Sequence, residues 1–262
     1  MTLLIDVGNS AVKWAQLQHN GELTPAQWQL HRGVPDIAAR LIERWRSDVP
    51  RGAPIIACNV GGAQVAAAVE SATQTLDLRT VKWLHTQPRF SGAISLINGY
   101  RQPMQLGVDR WHCMLGACST VNGDIVVINA GTATTVDCVK ANVEQARRFI
   151  GGVIAPGVRL MLESLAGETA DLPAVSPATG GVAVDFPDNT DAAIATGVLD
   201  AQAGLVHQVW QRFAERLNAN PHLVLTGGNA AALQARLPIT PATIEDNLVL
   251  RGLALRARAE PE

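Results

Sequence analysis

The segment that decides the fold is Leu3-Leu4-Ile5-Asp6-Val7-Gly8-Asn9-Ser10-Ala11-Val12-Lys13-Trp14-Ala15-Gln16-Leu17. Two apolar runs flank the polar turn Gly8-Asn9-Ser10, a pattern typical of a strand, a tight turn and a returning strand. The same pattern recurs at Ile125–Val139, where Asn129 and Gly131 lie 123 residues after Asp6 and Gly8. We therefore predict two duplicated halves, residues 1–118 and 119–262, each opening with a β-hairpin.

Helices and strands alternate through the rest of both halves, which indicates an α/β architecture. In the first half we predict a helix over Asp36–Ser47, a strand over Ala53–Cys58, a helix after Gly61-Gly62, a strand near Val81–Leu84, a loop over Pro88–Met104 and a helix over Val108–Cys118. In the second half we predict a loop over Leu172–Pro187, a helix capped by Thr190 and ending near Leu217, a strand over His222–Leu225 and a C-terminal helix from about Asp246.

The composition is that of a folded globular protein. The chain has 262 residues, of which 47% are hydrophobic and 17% charged, so global disorder is excluded. A formal net charge of −2 gives no basic surplus to neutralise phosphate backbones or anionic lipid. We therefore expect neither a nucleic acid nor a membrane surface as a partner.

Targeting, metal and disulfide signals are weak. The segment Met1–Asp6 lacks the cationic start of a signal peptide, and no run approaches the ~18 apolar residues of a membrane span. The four cysteines form no Cys-x-x-Cys pair, and the six histidines form no His-x-x-x-His pair. We expect buried, reduced thiols in a cytoplasmic protein.

Three segments are candidates for binding phosphate or a nucleotide. In the first hairpin, Asp6 could hold Mg²⁺ through water and Lys13 could neutralise a phosphate, although that motif taken alone favours an ordinary hairpin. The second hairpin strengthens the phosphate reading, because paired hairpins can bracket a triphosphate. Gly227-Gly228 is typical of a strand–turn–helix that passes close to a flat ring, and also of a plain tight turn. Gly151–Gly157 has the same ambiguity.

Together these segments resemble the superfamily of sugar kinases, heat-shock ATPases and actin, and within it the type III pantothenate kinases. Five motifs occur in the family's order over nearly the whole chain: Asp6 to Lys13, Gly107-Val108-Asp109-Arg110, Gly131 to Asp137, Gly151 to Gly157 and Thr226 to Ala230. The resemblance implies two actin-like ATPase domains with a nucleotide cleft between them, and ATP-dependent phosphorylation of pantothenate, the first step toward coenzyme A.

The resemblance also implies roles for individual residues. Asp109 corresponds to the general base, although a carboxylate in the first turn of a helix is also favoured by the helix dipole alone. The implied pantothenate site comprises Tyr100, Gly107, Val108, Asp109, Arg110 and Thr190. The implied ATP site comprises Asp6, Val7, Gly8, Asn9, Ser10, Ala11, Val12, Lys13, Thr132, Gly227 and Gly228.

The chain departs from the family pattern at Asn129, where the family carries an aspartate that binds an activating monovalent cation. An amide oxygen can coordinate K⁺ or NH4⁺ but brings no negative charge, so the cation requirement is an open expectation. Asp137 is a candidate to supply part of the missing charge.

Two other functions remain open. A nucleotide-binding regulatory protein without turnover would keep the fold, and Asn129 is compatible with it. A sugar kinase is disfavoured because the chain has no cysteine–histidine zinc cluster and no large inserted subdomain. The presence of Asp6, Lys13 and Asp109 favours a kinase, and the resemblance implies a homodimer.

Overall fold

A computed structural model describes residues 1–143, 145–169, 172–175 and 185–259. The strands are β1 (Thr2–Val7), β2 (Ala11–Leu17), β3 (Gln27–Leu30), β4 (Ile55–Asn59), β5 (Val81–Trp83), β6 (Arg89–Ser91), β7 (Ser95–Asn98), β8 (Ile125–Ala130), β9 (Ala133–Val143), β10 (Ala146–Pro156), β11 (His222–Thr226) and β12 (Ala242–Ile244). The helices are α1 (Ile37–Trp45), α2 (Ala63–Thr75), α3 (Val108–Thr120), α4 (Val158–Glu168), α5 (Thr190–Leu217), α6 (Ala230–Gln234) and α7 (Leu248–Ala259).

The chain forms two compact units. Unit 1 combines Met1–Thr120 with Asn247–Glu262, and unit 2 is Val121–Asp246. This division differs from the expected domains 1–118 and 119–262 chiefly at the C-terminus, because α7 packs on α3 of unit 1. The first unit is therefore built from both ends of the chain.

Unit 1 contains a mixed sheet with strand order β3-β2-β1-β4-β5. Strands β1 and β2 are antiparallel, as the hairpin pattern predicts, whereas β4 runs parallel to both β1 and β5. Alternate β1 residues, Leu3, Ile5 and Val7, enter a core with α1 and α2. Asp6 belongs to the opposite set of β1 side chains, because successive residues of a strand point to opposite faces.

Helices α3 and α7 cross at two glycines. A Cβ added at Gly116 would collide with the carbonyl oxygen of Leu248, and one added at Gly252 would collide with that of His112. Only glycine allows the two backbones to approach this closely. The crossing holds α3, whose first turn carries Asp109, against the C-terminal helix.

Unit 2 repeats the strand order of unit 1. The strands β12, β11, β8, β9 and β10 lie side by side in that order, with β8 antiparallel to β9 and parallel to β11. Strand β10 pairs antiparallel with β9, as β3 does with β2. The duplication predicted from the two hairpins is confirmed, and it extends to all five strands of each set.

Three local predictions are wrong. The predicted loop Pro88–Met104 contains the antiparallel pair β6–β7 and a 3₁₀ turn, and the Gly151–Gly157 segment continues β10 up to Pro156. Thr190 is the first residue inside α5, and the N-cap is Asn189, whose Oδ1 accepts from the Ala192 amide at 2.9 Å. Asparagine is the stronger cap of the two adjacent candidates.

Part of the predicted loop Leu172–Pro187, residues 176–184, lies outside the described residues. The four cysteines are buried, which confirms the expected burial of their side chains. Among the helices described, none has the length and apolarity to cross a membrane.

Candidate active site

Asp6 is a buried carboxylate near the end of β1, the central strand of the unit 1 sheet, with 7% of its surface exposed. Its β1 position pairs with Lys13 on β2 and with Cys58 on β4, so these three residues form one row across the sheet. The Cys58 thiol donates to Asp6 Oδ1 at 3.6 Å. Burial raises the pKa of Asp6 to about 6, Lys13 opposes that rise, and the nearby charge of Asp109 adds to it.

Asp109 lies in the first turn of α3 and folds back over Gly107. Its Oδ1 accepts from the Arg110 backbone amide at 2.8 Å, and a Cβ added at Gly107 would lie 2.8 Å from the same oxygen. Burial raises the pKa of Asp109, while the Arg110 amide and guanidinium oppose that rise. A carboxylate whose pKa is raised towards neutrality is suited to general-base chemistry.

Arg110 links Asp109 to Tyr100. The Arg110 residue is 4% exposed, and its guanidinium donates to the Tyr100 hydroxyl at 3.0 Å and lies 5.8 Å from the centre of the tyrosine ring. The Tyr100 amide in turn donates to Asn98 Oδ1 at 3.1 Å, and Asn98 Nδ2 donates to the Pro103 carbonyl at 3.0 Å. The buried Asn98 thereby fixes the loop that carries Tyr100.

The tip of the first hairpin is held on several sides. The Gly8 amide donates to the Ala11 carbonyl at 3.0 Å, and the Gly8 carbonyl lies 2.8 Å from His31 Nε2. The His31 amide donates to the Ser10 carbonyl at 3.1 Å. A Cβ added at Gly61 would lie 2.5 Å from the Gly8 oxygen, so the turn after β4 also packs against this tip.

The second hairpin tip has equivalent contacts within unit 2. The Gly157 amide donates to the Thr132 carbonyl at 3.0 Å, and the Asn229 amide donates to the Ala130 carbonyl at 3.2 Å. Gly227 has a φ of 96°, and a Cβ there would lie 2.7 Å from the Ala130 oxygen, so this turn requires glycine. The space beside Gly228 is open, since no described atom outside its chain neighbours comes within 4 Å of an added Cβ.

Asn129 occupies in unit 2 the strand position that Asp6 occupies in unit 1. It pairs with Thr135 on β9 and with Thr226 on β11, whereas Asp137 pairs with Val127 one step further along the same face. Asp137 is only 1% exposed. The sheet face around Asn129 therefore has a carboxylate, but it lies deeper than the position that the family pattern would provide.

Thr190 lies in unit 2, at the start of α5. It lines an open groove of about 640 Å³ together with Leu165, Leu172, Asn189 and Ile194. The other residues expected to bind pantothenate, namely Tyr100 and Gly107 to Arg110, belong to unit 1.

Most of the unit 1 residues expected in a site are brought together. Asp6, Lys13 and Asp109 interact electrostatically, and Asp109, Arg110 and Tyr100 are linked through the start of α3. Three further residues that contact the expected site residues were not predicted from the sequence, namely His31, Cys58 and Asn98. The pairing of Asp6 with Cys58 is implicit in two parallel strands, but a single histidine after an edge strand carries no sequence signal.

The chain has close relatives along its whole length. The family model of type III pantothenate kinases matches residues 2–212. The type III pantothenate kinase of Cupriavidus taiwanensis is 38% identical, with 98% of each chain covered. That of Methylobacillus flagellatus is 37% identical, with 99% of this chain and 98% of the relative covered.

Solved structures show the same fold at low sequence identity. A candidate 2-dehydro-3-deoxygalactonokinase from Sinorhizobium meliloti has a TM-score of 0.56 at 16% identity, with 99% of each chain covered. The activator of the 2-hydroxyisocaproyl-CoA dehydratase from Clostridium difficile has a TM-score of 0.51 at 13% identity, covering 98% of this chain and 93% of that one. The fold is therefore the duplicated α/β fold of sugar kinases and actin-like ATPases, and the chain belongs to the type III pantothenate kinase family.

Proposed function

We propose that this chain transfers the γ-phosphate of ATP to pantothenate, giving 4′-phosphopantothenate in the first step of coenzyme A biosynthesis. The names of the near-full-length relatives support the substrate. The observation that carries the chemistry is Asp109, a half-buried carboxylate with a raised pKa at the start of α3, beside Arg110 and Tyr100.

In the proposed reaction, the primary hydroxyl oxygen of pantothenate attacks the γ-phosphorus. The bond from that phosphorus to the β–γ bridging oxygen breaks, ADP leaves, and the hydroxyl proton passes to Asp109. A positioned base contributes roughly 10²–10⁴-fold, and the rest of phosphoryl transfer depends on alignment and charge neutralisation. The Arg110 amide holds Asp109 Oδ1 at 2.8 Å and so orients the base.

Arg110 and Tyr100 are proposed to bind pantothenate together with Gly107, Val108 and Thr190. A buried guanidinium can form paired hydrogen bonds with a carboxylate or phosphoryl group. The link from Arg110 to the Tyr100 hydroxyl keeps both side chains in place before substrate arrives. Gly107 is required because a side chain there would displace the Asp109 carboxylate.

In unit 1, the hairpin from Asp6 through Val7, Gly8, Asn9, Ser10, Ala11 and Val12 to Lys13 is proposed to bind ATP phosphates. Asp6 fits a Mg²⁺ ion held through water, because its charge is buried and only partly offset by Lys13. When bound, Mg²⁺ would neutralise phosphate charge. In unit 2, Thr132, Gly227 and Gly228 are proposed to contact ATP.

The monovalent-cation role fits Asn129 less well. Its amide oxygen is a neutral ligand, and the carboxylate of Asp137 on the same face is buried. No step of the proposed reaction depends on K⁺ or NH4⁺. A homodimer and a cytoplasmic location complete the proposal, and both rest on the family resemblance.

The test is ADP release from ATP, Mg²⁺ and pantothenate, measured with and without K⁺ for the wild type and two variants. Asp109→Asn should lower turnover by roughly 10²–10⁴-fold, because the amide keeps the shape but cannot accept the hydroxyl proton. The matched control is Asp36→Asn, since Asp36 also lies at a helix start, and asparagine retains both its capping oxygen and its tolerance of a left-handed backbone. The control should keep wild-type turnover.

The regulatory alternative has a distinct result. A wild-type chain that binds MgATP but releases no pantothenate-dependent ADP under any salt would refute the kinase proposal and support a nucleotide-binding protein without turnover. Equal turnover of Asp109→Asn and the wild type would refute the assigned base while leaving the kinase proposal standing.

A further inference from the structure

His31 is the residue directly after β3, and two of its atoms hold the tip of the first hairpin. Its amide donates to the Ser10 carbonyl at 3.1 Å, and its Nε2 lies 2.8 Å from the Gly8 oxygen. A carbonyl oxygen can only accept, so Nε2 must carry the hydrogen and donate it. One residue therefore restrains the turn at both its first and its last residue.

The duplicated fold shows which of the two contacts is general. In unit 2 the residue directly after β10 is Gly157, and its amide donates to the Thr132 carbonyl at 3.0 Å, as the His31 amide does to Ser10. A Cβ at Gly157 would collide with the Gly131 oxygen, the counterpart of the Gly8 oxygen. The backbone contact is thus common to both units, whereas the side-chain contact is found in unit 1.

The Gly8 carbonyl of unit 1 and the equivalent Gly131 carbonyl of unit 2 are held by different contacts. In unit 2 the backbone of Gly157 packs directly against the Gly131 oxygen and leaves no room for a side chain. In unit 1 there is room for an imidazole, and it donates a hydrogen bond to the Gly8 oxygen. The position after the third strand therefore fixes the first carbonyl of each turn, by close packing in one unit and by a hydrogen bond in the other.

We propose that His31 is a positioning residue that fixes the Gly8 carbonyl and thereby the shape of the phosphate-binding hairpin tip. The inference rests on the proposed function only in that the tip is assigned to ATP. A carbonyl turned toward a phosphate would repel it, and a loose tip would lose the alignment of its amides. By donating a hydrogen bond to the Gly8 oxygen, His31 occupies the negative end of the Gly8 carbonyl dipole.

The test is the dissociation constant of MgATP for the full chain, measured by titration calorimetry. His31→Leu fills similar space without a donor and should weaken MgATP binding roughly threefold to tenfold, the range expected for one net hydrogen bond. His31→Gln places an amide donor near the position of Nε2 and should stay within about twofold of the wild type. The KM for pantothenate at saturating ATP should change by less than about twofold in both.

A matched control is His222→Leu. His222 also forms one imidazole hydrogen bond, to the Thr243 hydroxyl at 3.2 Å, but it begins β11, at the other end of that strand from Gly227. It should bind MgATP like the wild type. Thermal unfolding of all three variants separates a local effect from loss of fold.

Several results would overturn the inference: His31→Leu binding as tightly as the wild type, His31→Gln as weak as His31→Leu, or His222→Leu equally weak. ¹H–¹⁵N correlation spectra of the wild-type imidazoles give a readout that needs no variant. A hydrogen on His31 Nε2 is expected, and Nε2 without a hydrogen would also overturn it. Since binding is measured directly, a wild type without pantothenate turnover would refute the proposed function and leave this comparison intact.

Discussion

Asp6 shows how a single candidate site residue opposes the stability of the fold around it. A carboxylate buried in a sheet loses most of its hydration, and Lys13 and the Cys58 thiol offset only part of that loss. Its pKa is about 6 in the folded chain against 3.8 for the unperturbed group. The folded state therefore holds the Asp6 proton more tightly than the unfolded state does.

The sign of the resulting pH dependence follows directly. Stability from this group is greatest below pH 3.8 and is lost as the pH rises through about 6, where the buried carboxylate ionises. We expect Asp6→Asn to raise the free energy of unfolding at pH 8 by roughly 2–3 kcal/mol, the equivalent of the pKa difference. Urea unfolding at pH 8 and at pH 4 measures it.

The gain in the free energy of unfolding from Asp6→Asn should be much smaller at pH 4 than at pH 8, because the wild-type carboxyl group is protonated in the folded state at pH 4. An equal stability gain at pH 4 and pH 8 would contradict the raised pKa assigned to Asp6. Mg²⁺ should be omitted from the urea unfolding experiments at both pH values, so that the measured free energies contain no contribution from bound metal.

At the scale of elements, the crossing of α3 and α7 is the contact on which Asp109 depends. Gly116 and Gly252 let the two helices approach until carbonyl oxygens occupy the space of a side chain. Helix α7 is buried along much of its length, and Leu250 and Leu253 are among its buried apolar residues. The orientation of the first turn of α3 is set by this packing and by the loop that Asn98 holds.

The same substitution should therefore have opposite effects in two helices. Gly252→Ala forces a methyl group into the His112 carbonyl, and we expect it to lower the free energy of unfolding by about 1–3 kcal/mol. Gly204→Ala, in the exposed interior of α5, meets no described atom within 4 Å and should raise it by about 0.5–1 kcal/mol. Chemical unfolding of both variants is the measurement; two changes of the same sign would refute this account of the crossing.

The sequence predicted those elements whose pattern is local. The hairpins and α1 follow from alternation and helical spacing, and α5 was placed correctly although its cap was not. Strand β3 was missed because the alternation of polar Gln27 and Gln29 with apolar Trp28 and Leu30 covers only four residues, the shortest run that indicates a strand. Strand β10 was misjudged because Gly151 and Gly152 imitate a turn, whereas they follow a register shift within the strand.

For the whole molecule, the main consequence of the topology is that the C-terminal helix α7 belongs to unit 1 and packs on its sheet. Helix α7 contacts α3 and strands β1, β2 and β4, so the sheet that carries Asp6 relies on residues more than two hundred positions away in sequence. No local pattern in the sequence marks this return, which is why the predicted second domain ran to residue 262.

Removal of residues 247–262 should therefore destabilise unit 1 selectively. We expect faster amide hydrogen exchange in β1, β2 and β4 of the truncated chain, while β8 and β9 keep their protection, because unit 2 retains its own core of sheet and α5. Exchange followed by mass spectrometry resolves the two sets of peptides. Equal loss of protection in β8 would show that the units do not fold separately.

The internal duplication and the family resemblance predicted part of the candidate site. The hairpins, Asp109 and Arg110 were predicted by their motifs, and the five-strand repeat accounts for the equivalent positions of Asp6 and Asn129. The His31 contact joins a strand end to a turn 23 residues earlier, whereas the Asn98 contacts join residues two and five positions apart within one loop. Such contacts leave no periodic trace in the sequence.

The link between Arg110 and Tyr100 also makes the molecule unusually easy to observe. The chain contains one tyrosine, and its hydroxyl is the group that accepts from the buried guanidinium at 3.0 Å. Growth on 3-fluorotyrosine would therefore place a single fluorine nucleus beside Arg110, and a ¹⁹F spectrum would contain one resonance that needs no assignment. The arrival of any ligand at this corner of the fold could be followed as the movement of that one line.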